Sequence, residues 1–351
     1  MTMNKSLPKI LFICHASITS GMGHLLRTSH VAHVALEYAD VKIAMLGLHS
    51  LATKFQKKML PLVFIEEEAR LLDLVNEWDP DCICFDLLFI STNIFYEISD
   101  KRHVVSISPI FNCISEVDAI FHRTKVLPSS WQDLNKPVIH SGLEYTILDE
   151  RVTKIPTKKY KEIINSKSLP VAISMGGTDA PNKTLSLLNS FRSLPVPMQF
   201  WVLLGEGYTH SYSSLVKTLE GSPHEVLLIK SNESMWQILN QCALVFLTGG
   251  ITTYEASYAC LPSINLIENE ERFFLLSELC EKNVIDCETG TLNTLYEKAY
   301  NALCDFDLNR GKLLKMHLAA KKCGIDLWGA DRIIKSIIYN IGASSESCVQ
   351  S

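Results

Sequence analysis

The chain has 351 residues, of which 47% are hydrophobic and 20% are charged, and its formal net charge is −5. This length favours two domains, and this composition is that of a globular protein with ample core, which excludes a disordered chain. The negative net charge and the lack of a long basic run argue against a nucleic-acid-binding surface.

The 11 cysteines are scattered, most of them lie inside apolar runs, and no Cys-x-x-Cys pair occurs. Free cysteine behaves as a small buried hydrophobe, so a structural zinc site is not expected. The N-terminal stretch lacks the pattern of a signal peptide, and no apolar run reaches the length of a membrane span. We therefore expect reduced thiols and a cytoplasmic location.

The first predicted elements are a strand, a glycine turn and a helix. The apolar run 10–14 predicts a buried strand, residues 15–20 predict a polar loop, and Gly21 and Gly23 open a helix predicted to run to about Tyr38. Such a turn points backbone N–H groups and the positive end of a helix dipole into a crevice. An alternative stays open, because many turns of this kind bind nothing.

Two side chains distinguish this turn. His24 lies in the first turn of the predicted helix, where the dipole disfavours imidazolium, so we expect it to accept a proton at about pH 7. Arg27 lies one helical turn further on the same face and suits an anionic group. A histidine near a helix start can also simply cap the helix, so spacing alone leaves both roles open.

Short apolar runs alternate with helical periodicity through the rest of the first half. A helix is predicted over 69–78, and the predicted strands are 41–45, 62–65, 82–85 and 104–107. This alternation predicts a parallel sheet covered by helices on both faces. Ligands bind beyond the carboxyl ends of such strands, so the loop at 15–24, Asp86 and Ser108 are predicted to share one rim.

A second alternating half follows a polar and basic stretch, which we interpret as an interdomain linker over 153–168. The predicted strands of this half are 171–175, 200–204, 225–229, 244–247 and 262–266. Two more glycine turns, Gly176-Gly177 and Gly249-Gly250, fall at strand-to-helix junctions. The second turn is predicted to open a helix capped by Thr252 or Thr253.

Four motifs occur in order along the chain: Gly21-x-Gly23-His24-x-x-Arg27, Ser174-Met175-Gly176-Gly177-Thr178-Asp179, Gly249-Gly250-x-Thr252-Thr253-Tyr254-Glu255-Ala256 and Asp326-x-x-Gly329-Ala330-x-Arg332-Ile333. Together they resemble the UDP-sugar hydrolases of pseudaminic acid biosynthesis and the related spore-coat polysaccharide protein family. These families are cousins of the glycosyltransferases that make the peptidoglycan lipid precursor, and all share the GT-B fold. The resemblance extends from about residue 8 to 335.

The resemblance implies two Rossmann-like, doubly wound α/β domains that face each other across a cleft. It implies that residues 1–152 form an N-terminal domain with the catalytic base and the acceptor side. Residues 169–342 would form a C-terminal domain that binds the nucleotide-sugar. The remaining residues, 343–351, are small and polar and predict a disordered tail.

The resemblance also implies roles for single residues. His24 would be the base that activates water for attack at the anomeric carbon of a UDP-sugar, and Gly176 and Gly177 would lie beside the diphosphate. Glu255 would accept hydrogen bonds from the ribose hydroxyls, and Asn269 would lie near the sugar. Together with the residues singled out from the sequence alone, the predicted substrate- and nucleotide-binding residues are Gly21, Gly23, Arg27, Asp86, Gly176, Gly177, Thr178, Asp179, Gly249, Gly250, Thr252, Thr253, Glu255 and Asn269.

No metal and no other cofactor is expected. Gly250, Thr252 and Thr253 would present N–H and hydroxyl donors to the diphosphate, and such donors can stabilise the leaving group without a metal ion. The sequence Asp305-Phe306-Asp307 imitates the Asp-x-Asp metal motif of another glycosyltransferase fold. Its helical and polar context favours a solvated helix face over a metal site.

The sequence departs from the family pattern at three places near the predicted sugar side. Leu88 stands where the family commonly has tyrosine, Ser108-Pro109 replaces an Asp-Asp pair, and Glu270 replaces glutamine. These departures suggest an altered sugar or acceptor. Hydrolysis with release of UDP is the favoured function. Transfer of the sugar to a saccharide or lipid-linked acceptor, and non-catalytic binding of a nucleotide-sugar, remain open.

An apolar and basic stretch in the first half bears on the lipid-linked alternative. Transferases that use lipid-linked acceptors often carry such a patch on their first domain. The candidate residues are Leu51, Phe55, Lys57, Lys58, Met59 and Leu60. The same residues fit core side chains flanked by surface lysines equally well, so peripheral membrane contact is one of two interpretations.

Overall fold

The computed structural model describes residues 7–17, 21–47, 60–230, 235–269 and 272–347. The chain divides into two compact units. Unit 1 comprises residues 1–148 and 326–351, and unit 2 comprises residues 149–325. Residues 51–59 of the candidate membrane patch lie outside the described ranges. Within those ranges, no helix is both long and apolar enough to cross a bilayer.

Unit 1 is built on a parallel sheet. Its strands are β1 (Lys9–Ala16), β2 (Asp40–Gly47), β3 (Leu62–Ile65), β4 (Cys82–Asp86), β5 (His103–Ser106), β6 (Ala119–His122) and β7 (Val138–Ser141). In space they follow the order β3-β2-β1-β4-β5-β6-β7. The helices of its N-terminal part are α1 (Gly23–Ala35), α2 (Arg70–Trp78) and α3 (Thr92–Ser99).

The sheet of unit 1 is covered on both faces, which explains why its strands are near-continuous apolar runs. Along β1, Ile10 and Phe12 join a buried cluster that includes residues of α1. Leu11 and Ile13 point the other way and join a second cluster that includes Leu71 of α2. Successive side chains of a strand face opposite sides, so the two clusters confirm the predicted doubly wound arrangement.

Unit 2 repeats this architecture with a second parallel sheet. Its strands are β8 (Pro170–Ile173), β9 (Gln199–Leu204), β10 (Glu225–Lys230), β11 (Leu244–Leu247), β12 (Ser263–Ile267) and β13 (Asp286–Thr289), in the order β10-β9-β8-β11-β12-β13. Its helices are α4 (Thr157–Ile164), α5 (Lys183–Phe191), α6 (Tyr212–Leu219), α7 (Met235–Leu239), α8 (Ile251–Ala259), α9 (Phe274–Glu281), α10 (Leu292–Leu308) and α11 (Arg310–Ala320). The predicted α/β class is therefore confirmed in both units.

Each sheet has one point at which the strand order reverses. In unit 1 the chain winds outward from β1 to β3 and then restarts at β4 on the other side, so β1 and β4 are neighbours. In unit 2 the corresponding neighbours are β8 and β11. Helices leave the two central strands on opposite faces there, and the gap between them is where open α/β sheets bind ligands.

The last helix, α12 (Gly329–Ser347), returns to unit 1. Ile333, Ile334 and Ile337 are fully buried in the cluster that contains Ile10 and Phe12 of β1. The assignment of residues 326–342 to the C-terminal domain therefore differs from the structure. The predicted tail at 343–351 differs as well, because the helix continues to Ser347 before the described residues end.

The predicted linker at 153–168 also differs from the structure, because it contains α4. Tyr160 of that helix is fully buried. Its hydroxyl donates a 2.7 Å hydrogen bond to the carbonyl oxygen of Ala243, and its ring stacks on His317 at 4.3 Å between centroids. The residues that interrupt helical periodicity, Ile155 and Pro156, lie just before the helix and not within it. This stretch is thus part of the packed body of unit 2.

Several boundaries shift by a few residues. Strand β1 continues to Ala16, so His15 lies in the strand and not in the loop, and α1 ends at Ala35 before the predicted Tyr38. Helix α8 begins at Ile251 with Gly250 in the N-cap position and no side-chain cap. Thr252 and Thr253 therefore lie inside the helix and do not cap it.

We predict that Gly329→Ala destabilises the protein. A Cβ at this position would lie 2.0 Å from the carbonyl oxygen of Thr146, and neither backbone can move aside as a side chain could. Overpacking of this kind costs about 1–3 kcal/mol. Gly311→Ala, on α11 with open space around it, is the matched control and should raise stability or leave it unchanged. Thermal unfolding of both variants measures the difference, and equal melting temperatures would contradict the packing of α12 on this segment.

Candidate active site

The reversal point of unit 1 brings a histidine and a carboxylate together. His24 is the second residue of α1, which follows β1, and Asp86 is the last residue of β4. The register of the two strands pairs Cys14 with Asp86, so both residues lie at the carboxyl edge of the sheet. The Nδ1 atom of His24 is 2.7 Å from Oδ1 of Asp86. The structure thus joins two residues that are 62 positions apart in sequence.

The Asp86 carboxylate is completely buried and remains ionised. Burial alone would raise its pKa, but the charges of Arg27 and His24 and the hydrogen bonds from both hold the pKa well below its ordinary value. Arg27 donates to it through Nε at 2.8 Å and also through Nη2, and the Thr28 hydroxyl donates at 3.2 Å. The site therefore contains a fixed negative charge at every ordinary pH.

This arrangement fixes the chemistry of the imidazole. An ionised carboxylate only accepts hydrogen bonds, so Nδ1 of His24 donates to Asp86, and in the neutral imidazole Nε2 carries the lone pair. The side chain of His24 is 15% exposed, whereas that of Asp86 is not exposed at all. A base held in one tautomer by a buried carboxylate is the arrangement that general-base catalysis uses.

Arg27 binds the buried carboxylate of Asp86. The side chain is only 8% exposed, and two of its nitrogens bind Asp86. One anionic partner of Arg27 is therefore this carboxylate, and contact of Arg27 with an anionic group of the substrate stays a prediction. Thr28, which sequence reasoning missed, is fully buried and completes the same shell. Its position one residue after Arg27 could not identify it, because only the helix orientation turns its hydroxyl towards Asp86.

The glycine turn before His24 has the predicted local geometry at Gly21. That residue has a φ of 72°, which other residues rarely adopt, and its N–H bonds the carbonyl oxygen of Ser17 at 2.9 Å. Gly23 is the first residue of α1, and a Cβ there would meet no atom within 4 Å. The helix start carries no side-chain cap. Gly23 thus leaves open space beside uncapped N–H groups.

Two positions that depart from the family pattern, Leu88 and Ser108, each come two residues after a strand of this sheet. Ser108 is buried, and its hydroxyl donates to the carbonyl oxygen of Ile110 at 3.2 Å, so it serves the turn after β5. Leu88 is half-buried two residues after Asp86. The next residue, Phe89, is 66% exposed. Glu270, the third departure, lies outside the described residues.

In unit 2 the first glycine turn follows β8, at the reversal point of the sheet. Gly176 has a φ of 95°, and the carbonyl oxygen of Gly177 accepts a 2.9 Å hydrogen bond from the N–H of Gly207. A Cβ on Gly205 would lie 2.3 Å from that carbonyl oxygen, so the neighbouring turn can approach only because Gly205 has no side chain. Sequence reasoning did not include Gly205 in the site.

Asp179 has a structural task. Its carboxylate accepts hydrogen bonds from the N–H groups of Lys183 at 2.8 Å and Thr184 at 2.9 Å, which caps the first turn of α5. Thr178 beside it is buried. The Asp179 carboxylate itself is therefore the anion at the start of α5, and it stabilises the turn. Direct contact of Thr178 and Asp179 with a ligand stays a prediction.

The second glycine turn follows β11, the neighbour of β8. Gly249 has a φ of 76°, and Gly250 is the N-cap of α8 with open space around it. Thr252 is partly exposed in the first turn of the helix. Thr253 is the exception, because it is fully buried and its hydroxyl donates to Oδ1 of Asn265 at 2.6 Å. The prediction that the Thr253 hydroxyl contacts a diphosphate is therefore wrong.

Glu255 is buried on the next turn of α8 with an unusual charge environment. Burial and the nearby charge of Asp149 raise its pKa to about 7, although the Asp149 N–H, the charge of Arg151 and the Thr252 hydroxyl partly offset the shift. Asp149 and Arg151 are themselves paired, with Nε of Arg151 2.9 Å from Oδ1. Sequence reasoning missed both residues, although their adjacency in Asp149-Glu150-Arg151 was visible.

The last predicted binding residue follows β12, and the Asp-x-Asp motif lies on α10. Asn269 is exposed two residues after β12, where its backbone carbonyl accepts from the N–H of Arg272 at 3.0 Å. Asp305 pairs with Lys312 at 2.6 Å, and Asp307 pairs with Arg310 at 2.6 Å. Over the part of the chain that the structure describes, no group of three potential metal ligands occurs.

The two parallel sheets, each with one reversal point, define the class as doubly wound α/β, and the similarity to solved structures given below shows the GT-B fold. No protein-family model matches the chain. An uncharacterised protein of Methanocaldococcus jannaschii is 22% identical over 272 residues, which are 75% of this chain and 56% of the archaeal protein. The chain thus spans little more than half the length of that relative.

Solved structures show the same fold at low sequence identity. MurG of Acinetobacter baumannii has a TM-score of 0.64 and 12% identity, with 94% of this chain and 99% of MurG covered. The S. aureus MnaA–UDP co-structure has a TM-score of 0.63 and 12% identity, covering 96% and 97%. UGT2 of Phytolacca americana, complexed with UDP-2fluoro-glucose and pterostilbene, has a TM-score of 0.60 and 11% identity, covering 95% and 100%.

We predict that Asp86→Asn lowers the free energy of unfolding by about 3–5 kcal/mol at neutral pH, because it leaves Arg27 buried without a counter-charge. The double variant Arg27→Met/Asp86→Asn removes both charges and should recover part of that loss.

The depressed pKa of Asp86 means that the contribution of this carboxylate to stability is present above the carboxyl pKa of the unfolded chain and is lost as the pH falls further. The difference between wild type and Asp86→Asn should therefore shrink below about pH 4. Denaturant unfolding at several pH values measures this, and a pH-independent difference would contradict it.

Proposed function

We propose that this protein is an enzyme that acts at the anomeric carbon of a UDP-sugar and releases UDP. The observation that carries the proposal is the hydrogen bond between His24 and the buried Asp86, which prepares Nε2 of His24 as a base. The glycine turns of unit 2, at Gly176-Gly177 and Gly249-Gly250, supply N–H groups of the kind that bind a diphosphate. In this proposal unit 1 supplies the base, and unit 2 holds the nucleotide.

The favoured reaction is hydrolysis. The oxygen of a water molecule attacks the anomeric carbon, the bond from that carbon to the diphosphate oxygen breaks, and UDP leaves with the electron pair. The water proton passes to Nε2 of His24, and the resulting imidazolium is stabilised by the Asp86 carboxylate. Backbone donors at the glycine turns stabilise the charge that develops on the diphosphate, so we propose no metal.

Nucleotide binding is assigned to the turns and the carboxylate of unit 2. Gly250 and Thr252 present donors at the start of α8, and Glu255 accepts hydrogen bonds from the ribose hydroxyls. This assignment extends to our protein what the S. aureus MnaA–UDP co-structure and the UGT2 complex with UDP-2fluoro-glucose contain. Asn269 would contact the sugar, as the sequence resemblance implies.

Transfer to a hydroxyl acceptor is the second candidate, and one observation favours it. Phe89 is 66% exposed only three residues after Asp86, and a large exposed aromatic face suits the apolar side of a saccharide ring. Leu88 beside it replaces the tyrosine common in the hydrolase family. The chemistry at His24 is the same, except that the attacking oxygen belongs to an acceptor hydroxyl.

One experiment separates these functions. The protein is incubated with a panel of UDP-hexoses and UDP-N-acetylhexosamines in excess EDTA without acceptor, and free UDP is measured. Release of UDP supports hydrolysis, and release only after saccharide acceptors are added supports transfer. UDP binding without turnover in either case leaves a non-catalytic nucleotide-sugar-binding protein. Activity that appears only when Mg²⁺ or Mn²⁺ replaces EDTA would overturn the metal-independent mechanism.

We predict that His24→Ala lowers turnover by about 10²–10⁴-fold, the usual contribution of a general base. UDP affinity, measured by calorimetry, should hardly change, because the base contacts the attacking oxygen and not the nucleotide. His33→Ala is the matched control, since it removes an exposed imidazole from the same helix. Full activity in His24→Ala, or an equal loss in His33→Ala, would refute the assignment of the base.

We predict that UDP affinity falls as the pH is lowered from about 8 to 6, because the carboxylate of Glu255 must be ionised to accept two ribose hydroxyls and its pKa is about 7. Below the pKa the association constant should drop by up to about tenfold per pH unit. Glu255→Gln keeps the shape without the titration, so any slope left in that variant belongs to the phosphate of UDP. Identical slopes in wild type and Glu255→Gln would exclude Glu255 from the nucleotide site.

A further inference from the structure

Two thiols of unit 2 lie in direct contact. Cys280 is in the last turn of α9, and Cys287 is the second residue of β13, the strand at the edge of the sheet. The Cys280 thiol donates to the Cys287 sulfur at 2.9 Å, and both side chains are partly exposed. The buried thiols in the described part of the chain are Cys14, Cys82, Cys84, Cys113, Cys242, Cys260 and Cys323.

A cavity gives small molecules access to this pair. Its volume is about 560 Å³, and Cys280 and Cys287 both line it. Apolar side chains such as Phe306 form part of the wall, and the charged residues of the lining are Asp286, Lys312 and Lys315. This size matches sites for small organic molecules.

We propose that Cys280 and Cys287 are a modification site, at which a small disulfide such as glutathione disulfide converts the two thiols into a reversible disulfide. In the first step one of the two protein sulfurs attacks one sulfur of the reagent, and one glutathione leaves with the proton of that thiol. In the second step the other protein sulfur attacks the mixed disulfide, and the second glutathione leaves with the remaining proton. Two protein thiols and one glutathione disulfide thus give one protein disulfide and two glutathione thiols.

The hydrogen bond between the two thiols and then burial raise the pKa of Cys287 far above its ordinary value. The 2.9 Å contact places each sulfur within reach of a mixed disulfide formed on the other, so either thiol can resolve that intermediate. The new bond would link the end of α9 to the edge strand across the turn at Asn283, which has a φ of 54°.

The sequence offers a direct assay, because Lys282 lies between the two cysteines. The full chain is incubated with glutathione disulfide, its remaining thiols are blocked by alkylation, and it is denatured and digested with trypsin without reductant. Peptides 273–282 and 283–298 stay joined only if the 280–287 disulfide has formed. The two thiols share an effective concentration of about the millimolar range or more, so this pair should exceed any other by at least about tenfold. Prior treatment with dithiothreitol should abolish it.

Single variants test the pairing. Cys287→Ser and Cys280→Ser should each give no linked peptides, and each should retain one glutathione on the thiol that remains. Cys304→Ser removes a partly exposed thiol from α10 and should leave the yield of linked peptides unchanged. The proposal is overturned if wild type carries glutathione without the linked pair, if links to Cys304 are as abundant, or if Cys287→Ser fails to retain the adduct.

Discussion

A buried negative charge organises unit 1. Asp86 lies at the end of a central strand with no exposure to solvent, and an ionised carboxylate there is tolerable only because Arg27, Thr28 and His24 donate to it. Each of those donors is carried by α1, so the charge also fixes the rotation of the helix relative to β4. The same interaction that keeps the core electrically balanced therefore sets the direction of the imidazole.

The sequence predicted the strands, helices and turns more accurately than the contacts between them. The apolar runs of buried parallel strands and the glycine turns before α1 and α8 were visible, since local periodicity and backbone freedom determine them. The contact between His24 and Asp86 was not, because it depends on strand register across 62 positions. Thr252 and Thr253 show the same limit: adjacent helix positions differ by about 100° in direction, and sequence alone does not tell which one faces the core.

Long-range packing explains the misplaced domain boundaries. Helix α12 is amphipathic, but its apolar stripe fits any apolar surface, and only the structure identifies the β1 side of unit 1 as its partner. The polar stretch 153–168, which contains α4, resembles a linker in sequence because few of its residues are apolar. One of those few, Tyr160, anchors the stretch to unit 2 through its buried aromatic ring and the hydrogen bond of its hydroxyl.

The return of α12 makes the chain cross between its two units at 148–149 and again at 325–326. A fragment that stops before the second crossing would expose the face of the sheet on which Ile333, Ile334 and Ile337 lie. Neither unit can therefore be separated from the other by a single cut. Unit 2 is instead an insertion between the two parts of unit 1, so a nascent chain cannot complete unit 1 until all of unit 2 has been synthesised.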